Sequence, residues 1–289
     1  MLICCILIFF IKKLIKICMI ERCSIFLHGN LIILLQMKKA IITGASGGIG
    51  LETAKRLSAQ GYLLTLVARN KQKLEEVQQS LGGDKHQILV ADLTKKEDVR
   101  QVCLHLLNNK YDLLINNAGT GSYGRFTDLL LQDQLDTMSL NMDALVSLSY
   151  TFLTKAVSGD ALVNVSSLLA HSSLPGGAVY AATKSFVANF SESLWYEYKN
   201  KGIFVMGFNP GAADSDFHTH AGKDTSVFPR FVMSTVSQVV DELMQALSAR
   251  SRPRVIQGFK NRIMLFGFRF LGRKSAINIM GKISPGLSQ

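Results

Sequence analysis

The 289-residue chain is poor in the residues that mark stapled or metal-built folds. It has five cysteines, and four of them (Cys4, Cys5, Cys18, Cys23) fall in the first 36 residues, leaving Cys103 alone in the body. That excludes a disulfide framework and paired zinc-ligand spacing, and makes a reducing, cytoplasmic compartment the default. Long apolar runs are also missing. Met1 to Ile11 is a run of eleven cut off by Lys12, Lys13 and Lys16, well short of the ~20 residues that a spanning helix needs. Because these lysines follow the apolar stretch, the order is wrong for an export signal. Proline occurs five times, and no Pro-rich linker, repeat or low-complexity tract divides the chain.

Negative charge is absent from one end. The formal net charge of +11 is made of +3 over residues 1–36, −1 over residues 37–249 and +9 over residues 250–289, where there is no Asp or Glu. A neutral body argues against nucleic-acid binding by the domain, and it carries no aromatic stacking motif. The basic tail points to local contact with an anionic surface such as a membrane, or else to solvated charge.

What is present is 48% apolar residues, ample for a core. Met37 stands directly before Lys38-Lys39-Ala40-Ile41-Ile42-Thr43-Gly44, a first strand running into a glycine turn. It reads as the true start, with the Ile- and Cys-rich leader translated in error; a short membrane anchor is the alternative. The expected organisation is a leader over 1–36, a catalytic body over 37–258 and a basic, apolar extension over 259–289. Short apolar runs alternate with amphipathic stretches from Lys38 onward. Strands are expected near 39–43, 62–67, 87–91, 112–116, 161–165, 203–208 and 254–257, with helices near 48–60, 71–81, 95–109, 132–156, 180–200 and 236–249. This is the pattern of one doubly wound α/β domain, with a ligand crevice at the C-terminal ends of parallel strands.

Thr43-Gly44-Ala45-Ser46-Gly47-Gly48-Ile49-Gly50 falls where the first strand meets the first helix. Glycine there permits positive φ and close approach of a pyrophosphate to backbone, while the helix start offers N–H groups. About 20 residues on, where an acid would bind the ribose hydroxyl of NAD, the chain reads Leu66-Val67-Ala68-Arg69-Asn70. Arg69 in place of a carboxylate suits the 2′-phosphate of NADP, and Ser46 can add a hydrogen bond.

Tyr180 and Lys184 lie four apart, on one helical face. A phenol with reference pKa near 10 needs ~4 kcal/mol of preference for phenolate to titrate at neutral pH, and a lysine cation one turn away is a source of it. On spacing alone the pair is a solvated helix face. Its context is Asn164-Val165-Ser166-Ser167, ending a strand thirteen residues before the tyrosine.

With these motifs the chain resembles the short-chain dehydrogenase/reductase family over roughly residues 38–215. The resemblance rests on Thr-Gly-x-x-x-Gly-x-Gly at Thr43–Gly50, Asn116-Asn117-Ala118-Gly119, Ser167 and Tyr180-x-x-x-Lys184. It implies a Rossmann-type domain with a seven-stranded parallel sheet that binds a nicotinamide cofactor, NADP in preference to NAD by the Arg69 reading, and interconverts a carbonyl and an alcohol. Residue by residue it implies phosphate contact at Gly44, Gly48 and Gly50, an adenine pocket at Asp92 and Leu93, and cofactor contacts at Ile49, Asn117, Ala118 and Gly119. Pro210, Gly211, Ala213 and Ser215 are implied on the nicotinamide side, Ser215 replacing a usual threonine. Asn141, Ser167, Tyr180 and Lys184 are implied as the proton relay; Ser166 competes for the serine role, but spacing favours Ser167.

Asp214, Asp216, His218 and His220 raise the idea of a metal, but hydride transfer needs none, and a polar substrate lid is the preferred reading. Relatives with basic apolar tails suggest an apolar or acyl-type ketone. The apolar and basic residues after Arg250 suit peripheral membrane contact, a roof over an apolar substrate or a buried terminal helix. The family resemblance implies a homo-oligomer packed through long helices, with which such a tail could interfere. The alternatives are a non-catalytic NADP-binding sensor and a nucleotide-sugar epimerase. The first has no need of a complete relay, and the second has a different glycine spacing and a larger C-terminal domain.

Overall fold

In the computed structural model the described residues are 37–214 and 233–287. Ser215, Asp216, His218 and His220 lie outside them, as does the 1–36 leader. The described residues from Lys39 onward form one contact unit.

Seven strands build the main sheet: β1 Lys39–Thr43, β2 Leu63–Ala68, β3 Gln87–Val90, β4 Leu113–Asn116, β5 Ala161–Val165, β6 Phe204–Asn209 and β9 Arg254–Ile256. They are all parallel, in the order β3-β2-β1-β4-β5-β6-β9. This is a doubly wound Rossmann-type sheet, as expected. The central strands β4, β5 and β6 are buried along their whole length, which is why their sequences are runs and do not alternate. Two very short strands, β7 Ala213–Asp214 and β8 Ser234–Thr235, pair parallel to each other beside it.

Helices cover both faces. On one, α1 Gly48–Ala59, α2 Lys71–Ser80 and α7 Val236–Ala249 bury Ala54, Leu57, Leu74, Val239 and Leu243 against β1 and β5. On the other, α3 Lys96–Asn108 and α5 Leu145–Lys155 bury Val102, Leu106, Leu148 and Phe152. Local signals explain several helix starts. Asn70 accepts from the Lys73 N–H, and Thr235 with Gln238 forms a reciprocal capping box.

The long helix α6, Ala178–Tyr198, differs in kind. Its buried stripe holds Tyr180, Thr183, Lys184 and Ser191 as well as alanine and valine. Polar groups on an inner helix face are tolerated only when each finds a partner, so this stripe marks where the sheet's chemistry lies.

The stretch 132–156, expected as one helix, is α4 Leu131–Met138, then a wider π turn over Ser139–Ala144, then α5. Apolar periodicity does not count the extra residue of such a turn. After β9 the chain adds α8 Phe259–Phe268 and α9 Arg273–Lys282.

Phe208 is fully buried in β6 and belongs to the larger core cluster. Phe208→Ala is therefore expected to lower unfolding free energy by roughly 3–5 kcal/mol in denaturant titrations. A loss below about 1 kcal/mol would mean that the site collapses freely and the core is not close-packed there.

Candidate active site

The sheet's register brings the motifs together at its C-terminal edge. Asn116 ends β4 opposite Asn164 of β5, and the Asn116 amide donates to Ser149 Oγ at 3.0 Å and to Asn164 Oδ1 at 2.9 Å. Asn164 donates in turn to Ser191 Oγ at 3.1 Å. This buried chain ties α5 through two strands to α6.

Glycine conformation decides the turn after β1. Gly44 (φ 66°) and Gly48 (φ 52°) are left-handed, and a Cβ on Gly50 would lie 2.2 Å from Gly44 O and 2.6 Å from Asn117 Nδ2. By contrast, a Cβ on Gly47 meets nothing within 4 Å. No side chain caps α1, so the N–H groups of its first turn are left without intrahelical or capping partners. The turn thus fits a dinucleotide phosphate, closed to side chains on one side and open on the other.

Asn117 holds the turn in place through bonds from Nδ2 to Thr43 O (3.0 Å) and Gly44 O (3.2 Å). Thr43 Oγ1 accepts from the N–H groups of Asn117 and Ala118 at 3.0 and 2.9 Å. In the sequence Thr43 is only the first letter of a motif; in the fold its hydroxyl is the clip joining glycine turn to β4.

Arg69 is exposed at the end of β2, directly before the Asn70 cap, and no ion pair holds it among the described residues. Ser46 is half-buried in the turn. Asp92 is partly buried and its carboxylate accepts from the Thr94 N–H and hydroxyl, while Leu93 packs into the core. Pro210 offers its carbonyl to Leu168 N–H. Gly211 N–H donates to Gln257 Oε1 at 3.3 Å, and Ala213 is buried in the core.

The four relay candidates converge. Asn141 sits in the π turn, 1% exposed; it accepts from Thr120 N–H at 3.0 Å and donates to Thr120 O at 2.8 Å and Thr183 Oγ1 at 2.9 Å. Lys184 Nζ donates to Val165 O at 3.0 Å and stands 5.9 Å from the centre of the Tyr180 ring. The Ser167 side chain hydrogen-bonds Tyr180. Ser166 instead donates to Lys184 O at 2.7 Å, pinning α6 to the end of β5. A Cβ on Gly119 would come within 3.1 Å of both Asn141 Oδ1 and Lys184 Nζ, so the Asn-Asn-Ala-Gly turn runs close against these two side chains.

Electrostatics differ from the sequence expectation. Burial pushes Tyr180 up to about 12, offset in part by Ser167, and pushes Lys184 down to about 8. Desolvation sets the direction for both groups, and the Ser167 hydroxyl, not the ammonium, is what lowers the phenol.

Three neighbours of Tyr180 give little sequence signal. Gly121 lies so close that a Cβ would be 2.7 Å from the ring. Tyr123 packs edge-on at 6.2 Å between centroids, and burial and the neighbouring tyrosine raise its own pKa. Met280, from α9, is buried in the same cluster with Leu174. The glycines of 119–124 are the available hint for the first two; nothing local points to Met280.

A family model described as short chain dehydrogenase matches residues 38–226. The chain belongs to the short-chain dehydrogenase/reductase family. It is thus an oxidoreductase of CH–OH groups, of a family that uses nicotinamide cofactors. An uncharacterized oxidoreductase of Staphylococcus epidermidis is 32% identical over 184 residues, 62% of this chain and 79% of that one. Among solved structures, a short-chain dehydrogenase from Sphingobium yanoikuyae in complex with NADPH superposes with TM-score 0.74 at 30% identity, covering 81% of this chain and 93% of that one. A bulky-bulky ketone specific alcohol dehydrogenase from Comamonas testosteroni gives 0.69 at 27% identity, covering 81% and 92%.

Lys184 supplies a pH signature for this reductase-family fold. Its folded pKa of about 8 lies below the ordinary 10.5, so the folded state disfavours the cation. The resulting loss of stability is fully present below about pH 8 and is recovered as pH rises toward 10.5. Lys184→Met removes that penalty. Relative to wild type, its stability advantage should be larger near pH 7 than near pH 10 by up to ~3 kcal/mol, read by denaturant titration at both pH values. An advantage independent of pH would show that the lysine is not desolvated.

Proposed function

We propose that this chain is an NADPH-dependent reductase of apolar or acyl-type ketones, working through Ser167, Tyr180, Lys184 and Asn141. The observation that carries the reading is the convergence of these four buried side chains at the strand ends beside the glycine turn. Bound nicotinamide supplies the hydride; everything else falls to the chain's own groups.

Tyr180, held as a neutral phenol by burial, is the proton donor to the oxygen of a reduced carbonyl. Ser167, bonded to that phenol, offers its hydroxyl to the same oxygen and so aligns acceptor and donor. Lys184, one helical turn on, places its ammonium near the tyrosine ring. It steadies the phenolate left after transfer and is itself fixed by Val165 O. Asn141, braced on Thr120 and Thr183, closes the polar side of the pocket next to Lys184, where a water can return the proton. A phenol protonated at neutral pH suits the reductive direction.

Arg69, exposed at the end of β2 and without an ion pair among the described residues, suits the 2′-phosphate of NADP, and the Sphingobium neighbour was solved with NADPH. Tyr123, Leu174 and Met280 form an apolar cluster with Tyr180, and Leu169 and Phe268 pack against it, so a substrate beside the phenol would meet apolar surface. That supports a lipophilic ketone, and the Comamonas neighbour is itself named for bulky-bulky ketone specificity. We also infer a catalytic body over 37–258 with an extension over 259–289, and a homo-oligomer in which exposed Tyr150 of α5 with Phe186 and Tyr196 of α6 are covered.

Two variants test this reading in NADPH-oxidation assays against short polar and long lipophilic ketones. Tyr180→Phe should lower kcat by ~10²- to 10⁴-fold and leave NADPH affinity unchanged. Full activity in that variant, or wild-type preference for polar ketones, contradicts the proposal. Arg69→Ala should weaken NADPH binding by ~10- to 100-fold with little effect on NADH; equal effects on both would remove the 2′-phosphate role.

A further inference from the structure

The helices α8 and α9 leave an unusual face uncovered. Phe259, Ile263, Phe266 and Phe270 are 69%, 55%, 60% and 76% exposed. Their spacings of four, three and four put them on one stripe along α8 and the turn that follows it. The Phe266 and Phe270 rings pack edge-on at 5.2 Å, and Ile279 and Ile283 add exposed apolar surface on and just after α9. The opposite face is anchored: Phe268 and Met280 pack with Leu174 and Tyr123, and Asn261 donates to Gln257 O at 2.7 Å. The stripe is therefore the outer side of a docked element.

Charge narrows what covers it. Arg262 is paired with Glu242. Lys260, Arg269, Arg273, Lys274 and Lys282 are all exposed, without an ion pair among the described residues, and residues 250–289 contain no carboxylate side chain. Two copies meeting through this face would bring cation against cation, which disfavours self-association. Phenylalanine and isoleucine rimmed by Lys and Arg is the composition that beds into the headgroup region of an anionic bilayer. No helix among the described residues is long and apolar enough to cross a membrane.

We propose that the α8–α9 face docks this protein on the surface of an anionic membrane, lying in the interface without spanning it. Exposure and charge carry this inference, independently of the relay. Co-sedimentation of the full chain with vesicles of phosphatidylcholine, alone or mixed with phosphatidylglycerol, tests it. Binding should be at least roughly tenfold stronger with phosphatidylglycerol and fall as salt rises. F266S/F270S and R269E/R273E/K274E should each reduce it by roughly tenfold or more while leaving the thermal unfolding midpoint unchanged. Failure to sediment with either vesicle, or equal binding to both, overturns the proposal. So does a dimer in solution that F266S/F270S converts to monomer, since a second copy would then occupy the face.

Discussion

The structure turns on the cost of keeping an ammonium and a phenol out of water together. Lys184 is 5% exposed and Tyr180 7%, and each is displaced from its ordinary pKa toward the neutral form. Such a pair persists only if the surroundings satisfy its hydrogen bonds. Val165 O takes the ammonium, Ser167 bonds the phenol, and Ser166 fixes the backbone of α6 beside both. The parallel sheet is the means of supplying these partners, because β5 ends where α6 begins its buried polar stripe.

The same requirement explains features that look incidental alone. The π turn swings Asn141 inward so that its amide meets Thr120 and Thr183 at once. Gly119 and Gly121 lack side chains where any Cβ would strike Lys184 or the Tyr180 ring. Thr43 and Asn117 join the glycine turn to the end of β4 through hydrogen bonds, so the proposed phosphate cradle and the backbone beside Lys184 are directly connected.

Much of this is legible in the sequence where the signal is local. Strands such as Leu113–Asn116 and Phe204–Asn209 are continuous apolar runs, and their ends carry the motif residues. The alternation of such runs with amphipathic stretches is enough to predict the seven-stranded parallel sheet. The expected single helix over 132–156 fails at the π turn, because periodicity is blind to one extra residue. Tyr123 and Met280 join the apolar cluster of Tyr180 from 57 and 100 residues away along the chain, and proximity at such separations leaves no mark in one sequence. Expectation and structure part most clearly over the tyrosine pKa, which is raised where spacing predicts a lowering. Spacing places a lysine one turn away, but it does not reveal that both groups are buried or that the ammonium is committed to a carbonyl.

Whether Tyr180 and Lys184 work as one unit is tested most directly by a double-mutant cycle on kcat/KM for NADPH-driven ketone reduction. With Tyr180→Phe, Lys184→Met and the combined variant, a shared pocket predicts strong non-additivity, the double variant losing little more than the worse single one. Losses that simply multiply would mean that the two residues act independently, and the shared-pocket mechanism would be wrong.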